Sequence, residues 1–319
     1  MTPLTAPSLE DIHAAQSRLA GTILHTPLIP LNLENAPAEI YLKLENLQPT
    51  GSFKVRGAGN ALLSLPPAET RHGVWTASAG NMGQALAWFA RQRGIACTVV
   101  VPEDAPAVKV EAIRRLDAEI VSLPFTEYQS IQREGKWNEM KGLLVHPFAD
   151  EAVMAGNGTI GLEILADLPD ADTVLVPYGG GGLGCGIAAA VKARKSQARV
   201  EAVEVATAAP ITAALAAGQM VEVPYQASFV SGMGAPFVFP QMWPLAQNLL
   251  DGARTVELAQ VAAAIRLLAE RHHIIVEGAG AVALAAALST PVGRKVVCVV
   301  SGGNLNTSHL TQILQGELP

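Results

Sequence analysis

A chain of 319 residues, half of them apolar and only 16% charged, has the makings of a large buried core, which excludes a disordered or low-complexity protein. Its 28 acidic residues outnumber its 22 basic ones, for a net charge of −6. With no polybasic run to match a phosphate backbone, nucleic acid is not expected as a partner.

In chain order, short apolar runs with strand character fall at 40–44, 73–77, 96–101, 119–123, 173–177, 199–205 and 295–300. Helical patterns are read at 55–63, 82–93, 107–116, 159–166, 183–194, 255–271 and 279–287. Strands that alternate with helices predict an α/β fold of parallel sheets flanked by helices. The two successive series predict two lobes, a smaller one over residues 46–145 and a larger one from 1–45 plus 146–319. Ligands of open α/β sheets bind beyond the carboxyl ends of the strands, so two facing lobes would enclose a cleft.

Other signals are negative. Cys97, Cys185 and Cys298 lie far apart in apolar or glycine-rich settings, which describes buried thiols rather than a disulfide framework or a zinc site. The seven histidines form no His-Glu-x-x-His pattern, and His272-His273 reads as a helix end, so no metal is expected. No basic segment followed by an apolar run opens the chain, and the apolar stretch 279–288 is too short to span a bilayer. The expectation is a cytoplasmic protein with no membrane partner.

Three turn-to-helix junctions carry the chemistry. Pro49-Thr50-Gly51 hands over to Ser52-Phe53-Lys54 at the start of a helical run. Lysine is the side chain that supplies a primary amine to an aldehyde cofactor, and a helix start beside it favours an anionic phosphate. Gly179-Gly180-Gly181-Gly182-Leu183-Gly184 follows a strand and opens a helix, a backbone cradle for phosphate. The same run satisfies G-x-G-x-x-G, with Glu201 or Glu204 about 20 residues on, so a dinucleotide oxidoreductase is the rival reading. Ser78-Ala79-Gly80-Asn81 and Ser301-Gly302-Gly303-Asn304 each follow a strand too. The first suits a carboxylate, and its Asn81 could donate to a phenolate oxygen, although Ser and Asn at both places are also ordinary helix caps.

The order of these motifs resembles that of the fold-type-II pyridoxal-phosphate enzymes, in particular the serine/threonine dehydratase and serine racemase group. The matching text runs Lys43-Leu44-Glu45-Asn46 through Ser52-Phe53-Lys54-Val55-Arg56-Gly57-Ala58, then Ser78 to Asn81, His146-Pro147-Phe148 and Gly158-Thr159-Ile160. It continues through the glycine run, Glu277-Gly278-Ala279-Gly280-Ala281 and Ser301 to Asn304. The resemblance implies a two-lobed fold like tryptophan synthase β and pyridoxal 5'-phosphate linked to Lys54, with Phe53 against its ring. It implies Asn81 on the ring hydroxyl, Gly179, Gly180, Gly181, Gly182 and Leu183 on the phosphate, and Ser301 on the ring nitrogen. Ser78, Ala79, Gly80, Asn81 and Met82 would hold the substrate carboxylate. The implied reaction converts a β-hydroxy amino acid to a 2-oxo acid and ammonia, in a homodimer.

Departures from the group narrow the expectation. Ala79 stands where the racemases of the group have a serine, which favours elimination over racemisation. Met82 replaces a histidine and Ser231-Gly232 replaces Asp-Gly, leaving room for a bulkier or acidic substrate such as phenylserine or 3-hydroxyaspartate. Glu204 matches one ligand of a divalent-cation site in some relatives, but Pro210 stands where an aspartate is needed. The chain ends soon after the last motif, so an allosteric C-terminal domain is not expected.

Overall fold

The structure is a computed structural model that describes residues 4–194 and 197–319. Its strands are β1 (Leu28–Pro30), β2 (Glu39–Lys43), β3 (Val74–Ala77), β4 (Cys97–Pro102), β5 (Glu119–Leu123), β6 (Leu143–Leu144), β7 (Thr173–Pro177), β8 (Arg199–Val205), β9 (Gly252–Val256) and β10 (Lys295–Val299). They form two sheets. One has the order β1-β2-β10-β7-β8-β9 and the other β5-β4-β3-β6. Every pairing is parallel except β1 with β2.

Burial on both faces explains why the interior strands β3, β4, β7 and β10 read as apolar runs. Along β10, Val296 and Cys298 enter one core, with the helices Leu258–His272 and Gly278–Ser289. Val297 and Val299 enter the opposite core, with the helices Glu151–Asp167 and Gly182–Arg194. In the smaller sheet Val99 and Val100 likewise belong to different clusters. The period of two thus sends alternate side chains into separate interiors. Cys97, Cys185 and Cys298 are free and buried, and burial pushes the thiols of Cys97 and Cys185 up to about 12.

Behind the helix Lys54–Ser64 lies a buried ionic cluster. Arg56 and Lys43 are fully enclosed beside Glu45 and Glu163. Arg56 Nε lies 2.7 Å from Glu45 and its Nη1 2.6 Å from Glu163, while Lys43 Nζ lies 2.6 Å from Glu163. Thr159 Oγ1 and the Leu24 carbonyl accept the remaining guanidinium protons. Two cations and two carboxylates cancel, and hydrogen bonds occupy what the charges leave over.

Two predicted helices need correction. The one read at 159–166 extends over Glu151–Asp167. Its early glycines look like breakers, but they admit neighbouring backbone: a Cβ on Gly156 would lie 2.2 Å from the Arg56 carbonyl oxygen. The helix read at 255–271 begins only at Leu258, because Gly252–Val256 is the edge strand β9. Its Arg254 pairs with Glu201 on the adjacent strand, a cross-strand contact that a linear pattern does not display.

Candidate active site

The chemistry-bearing junctions converge because each follows the carboxyl end of a parallel strand. Ser78–Asn81 follows β3, the glycine run follows β7, and Ser301–Asn304 follows β10. The lysine turn is attached to the last of these by main-chain bonds. Phe53 N donates to the Ser301 carbonyl at 3.0 Å and Gly303 N to the Gly51 carbonyl at 2.8 Å, around a bridge between Ser52 and Gly302. Lys54 is thereby set at the first position of its helix, beside the buried Ser301.

The Lys54 ammonium donates to the Pro147 carbonyl and lies 5.0 Å from the centre of the Phe53 ring. Among the described residues no carboxylate answers its charge, and desolvation lowers its pKa to about 8. His146, also buried and near that ammonium, is driven down to about 4. It is therefore neutral at physiological pH, its Nδ1 accepting from Ala149 N at 2.9 Å.

The next residue after Pro147 fits the glycine run. A Cβ on Gly180 would fall 2.2 Å from the Phe148 ring, and one on Gly182 would fall 2.6 Å from the Phe148 carbonyl oxygen. Side chains are excluded there, and the first-turn amides of the helix Gly182–Arg194 have no partner within that helix. The cradle lies one residue along from the carbonyl that holds Lys54.

On the opposite rim, Asn81 Nδ2 donates to Glu277 Oε1 at 2.7 Å. Asn304 Nδ2 donates to Asn81 Oδ1 at 2.7 Å and to the Thr50 carbonyl at 2.9 Å. Burial raises Glu277 to about 7 despite the bond from Asn81 and the nearby Lys109. Lys109 donates to Ser231 Oγ at 2.9 Å. Glu277, Lys109, Ser231 and Asn304 border a cavity of about 580 Å³.

The buried hydroxyls of Ser52, Thr50 and Tyr178 lack protein partners. Together with an amine that has no ion-pair partner among the described residues, a side-chain-free cradle at a helix start and the second, uncommitted proton of the Asn81 amide, they fit a phosphorylated aldehyde such as pyridoxal phosphate. Ser78, Ala79 and Gly80 form the loop before the helix Asn81–Arg93, and space is open where a Cβ of Gly80 would stand. Met82 differs: its side chain is buried in the core of the smaller sheet. Glu277, Asn304, Phe148 and Lys109 had no assigned role in the sequence. An acid set just before the apolar helix Gly278–Ser289 was the available signal for the first.

The dinucleotide alternative loses its ribose-binding acid. Glu201 is paired with Arg199 and Arg254, and Glu204 caps a helix by accepting from Ile211 N, Thr212 N and Thr212 Oγ1. Among the described residues, no group of three or more His, Cys, Asp or Glu side chains is arranged for a metal ion, and no helix is long and apolar enough to cross a membrane.

Fold and site define a cofactor-dependent enzyme built on two largely parallel sheets. The chain belongs to the pyridoxal-phosphate dependent enzyme family, whose defining pattern it matches over residues 19–302. It is 40% identical to an L-threonine ammonia-lyase of Geobacter sulfurreducens, covering 96% of this chain and 78% of that one. It is 37% identical to the catabolic L-threonine dehydratase of Escherichia coli, covering 96% and 95%. Maize serine racemase superposes with a TM-score of 0.89 at 31% identity, covering 98% of each chain.

Proposed function

We propose that this chain eliminates water from L-threonine or L-serine to leave an enamine, which on release tautomerises to an imine and takes up one water to give a 2-oxo acid and ammonia. The observation that carries the reading is Lys54, an uncompensated amine with a pKa near 8, between the glycine cradle and Asn81. The names of its threonine ammonia-lyase and dehydratase relatives agree with it. Pyridoxal phosphate, when bound, supplies an aldehyde for amine exchange and a ring that draws electrons from the substrate α-carbon. The amides of Gly179 to Leu183 would hold its phosphate, Asn81 would donate to its ring oxygen and Ser301 would meet its ring nitrogen. A neutral hydroxyl there does not enforce a ring proton, which suits elimination with little stored negative charge.

Lys54 then acts as base. With its pKa lowered to about 8, a usable fraction is unprotonated near neutrality, and the free amine removes the substrate α-proton. The Ser78–Asn81 backbone holds the carboxylate so that this proton faces Lys54. Ala79 cannot return a proton to the opposite face, so elimination is favoured over racemisation.

Residues 46–145 and 1–45 plus 146–319 serve as two lobes in this reading, in keeping with a four-stranded sheet drawn wholly from 74–144. A homodimer acting in the cytoplasm is part of the same proposal. A second substrate class is favoured by the cavity of about 580 Å³ and by Lys109, whose ammonium donates to the neutral hydroxyl of Ser231. Bulkier or acidic β-hydroxy amino acids fit there.

The test is the visible spectrum of protein loaded with pyridoxal phosphate, before and after L-threonine or L-serine, with 2-oxo acid assayed in parallel. A band that is missing in Lys54→Ala and a 2-oxo acid formed with wild type are expected. A band that neither amino acid disturbs would transfer the reading to phenylserine or 3-hydroxyaspartate. No band at all would end it.

A further inference from the structure

We infer that Asn304 is a positioning residue that fixes which end of the Asn81 amide faces the cofactor. This rests on the reading of Asn81 as donor to the ring oxygen. An asparagine amide is nearly symmetric in shape, and rotating it by half a turn exchanges a donor for an acceptor. Asn81 would then offer a carbonyl oxygen to another oxygen and repel what it is meant to hold. Something must set its direction.

The chain of bonds that sets it starts from the Thr50 carbonyl, which can only accept. Asn304 Nδ2 lies 2.9 Å from that oxygen, so the amide of Asn304 has one permitted orientation. The same nitrogen lies 2.7 Å from Asn81 Oδ1, so the neighbouring amide is oriented in turn. Asn81 Nδ2 is then directed away from Asn304, and one of its protons goes to Glu277 Oε1 at 2.7 Å. Its second proton remains for a ligand in the crevice.

Both ends of the relay agree on the polarity, but they are not equivalent. Glu277 has a pKa raised to about 7, and when protonated it is able to donate or accept, so it does not dictate direction by itself. The Thr50 carbonyl has no such freedom. Asn304 transmits that fixed polarity from the lysine turn, where Thr50 lies four residues before Lys54, to Asn81 after β3. The smaller sheet's contribution to the site is thereby oriented by a residue at the end of the larger sheet.

The experiment measures pyridoxal phosphate affinity by titrating cofactor-stripped protein and following its absorbance, with thermal melting as a check on folding. The variants are Asn304→Asp, which keeps the shape and removes the donor, Asn304→Ala, and each of these combined with Asn81→Ala. Asn304→Asp is expected to weaken cofactor binding by about tenfold, the effect of one hydrogen bond lost or reversed. It should also shift the visible band of the bound cofactor. In the Asn81→Ala background the same change should have no further effect on either readout.

An equal loss in both backgrounds would overturn the inference, because Asn304 would then act on the loop and not through Asn81. Unchanged affinity and spectrum in Asn304→Asp would overturn it as well. If Asn81→Ala alone left affinity and band unaltered, the reading of Asn81 as a cofactor contact would fall and the relay with it, while a Lys54-dependent band would still uphold the enzyme class.

Discussion

Arg56 and Lys54 stand two residues apart on one helix and meet opposite fates. The Arg56 guanidinium is fully buried, yet every direction it donates in finds a carboxylate, a hydroxyl or a carbonyl. Lys54 finds one neutral carbonyl and an aromatic face. The first arrangement stores charge without reactivity. The second leaves a charge that its surroundings do not support, and the amine gives up its proton more readily as a result. Partner count, more than depth, distinguishes the side that holds the fold from the side that does the chemistry.

Breaking the supported side should have the largest effect on stability. Arg56→Leu strands Glu45 and Glu163 in a dry interior with only Lys43 to answer them, and is expected to cost about 3–5 kcal/mol in denaturant unfolding. A loss below about 1 kcal/mol would mean that the cluster is far more hydrated than its burial implies.

The unsupported side should respond with the opposite sign. Glu277 is held near pH 7 in the folded protein against an ordinary 4.5. Between those values the native state keeps a proton that the unfolded chain has released, so stability falls as pH rises through the window. Glu277→Gln removes that penalty and still accepts from Asn81. Above pH 7 the cofactor-free variant should be more stable than wild type by about 1 kcal/mol, and below about 4.5 the gain should vanish. Melting curves across pH decide it.

The smallest effect is a shift in a titration. Because burial places Lys54 near 8 rather than 10.5, its neutral fraction grows as pH rises through about 8. The rate at which cofactor-stripped protein captures an added aldehyde should climb with that midpoint. A midpoint above 10 would mean that Lys54 is as well solvated as a surface lysine.

The legible parts of the molecule were those fixed by local pattern. Thr173–Pro177 and Arg199–Val205 agree residue for residue with the apolar runs read from sequence, because strands buried on both faces leave a continuous signal; the half-exposed edge strand Glu119–Leu123 agrees as well. Lys54 and the glycine run were legible because their chemistry admits few other residue types. The N-terminal helix Leu9–Leu19 was overlooked although Ser8 and Asp11 form a capping box at its start. The direction of Met82 depends on which face of the helix Asn81–Arg93 meets the smaller sheet. The joining of Thr50, Asn81, Glu277 and Asn304 depends on three loops meeting in space, and no linear spacing encodes that.

The place of β10 in its sheet has a consequence for how the protein is made. It is the last strand of the described chain to leave the ribosome, yet it is inserted between β2 and β7. Until residues 295–299 emerge, the larger sheet exists as two unjoined edges, and Ser52 has no Gly302 to bridge. The larger sheet must therefore wait, with strand edges open, for its central piece. The site is consequently assembled late in synthesis, and a nascent chain halted before β10 has neither a closed sheet nor a seated lysine.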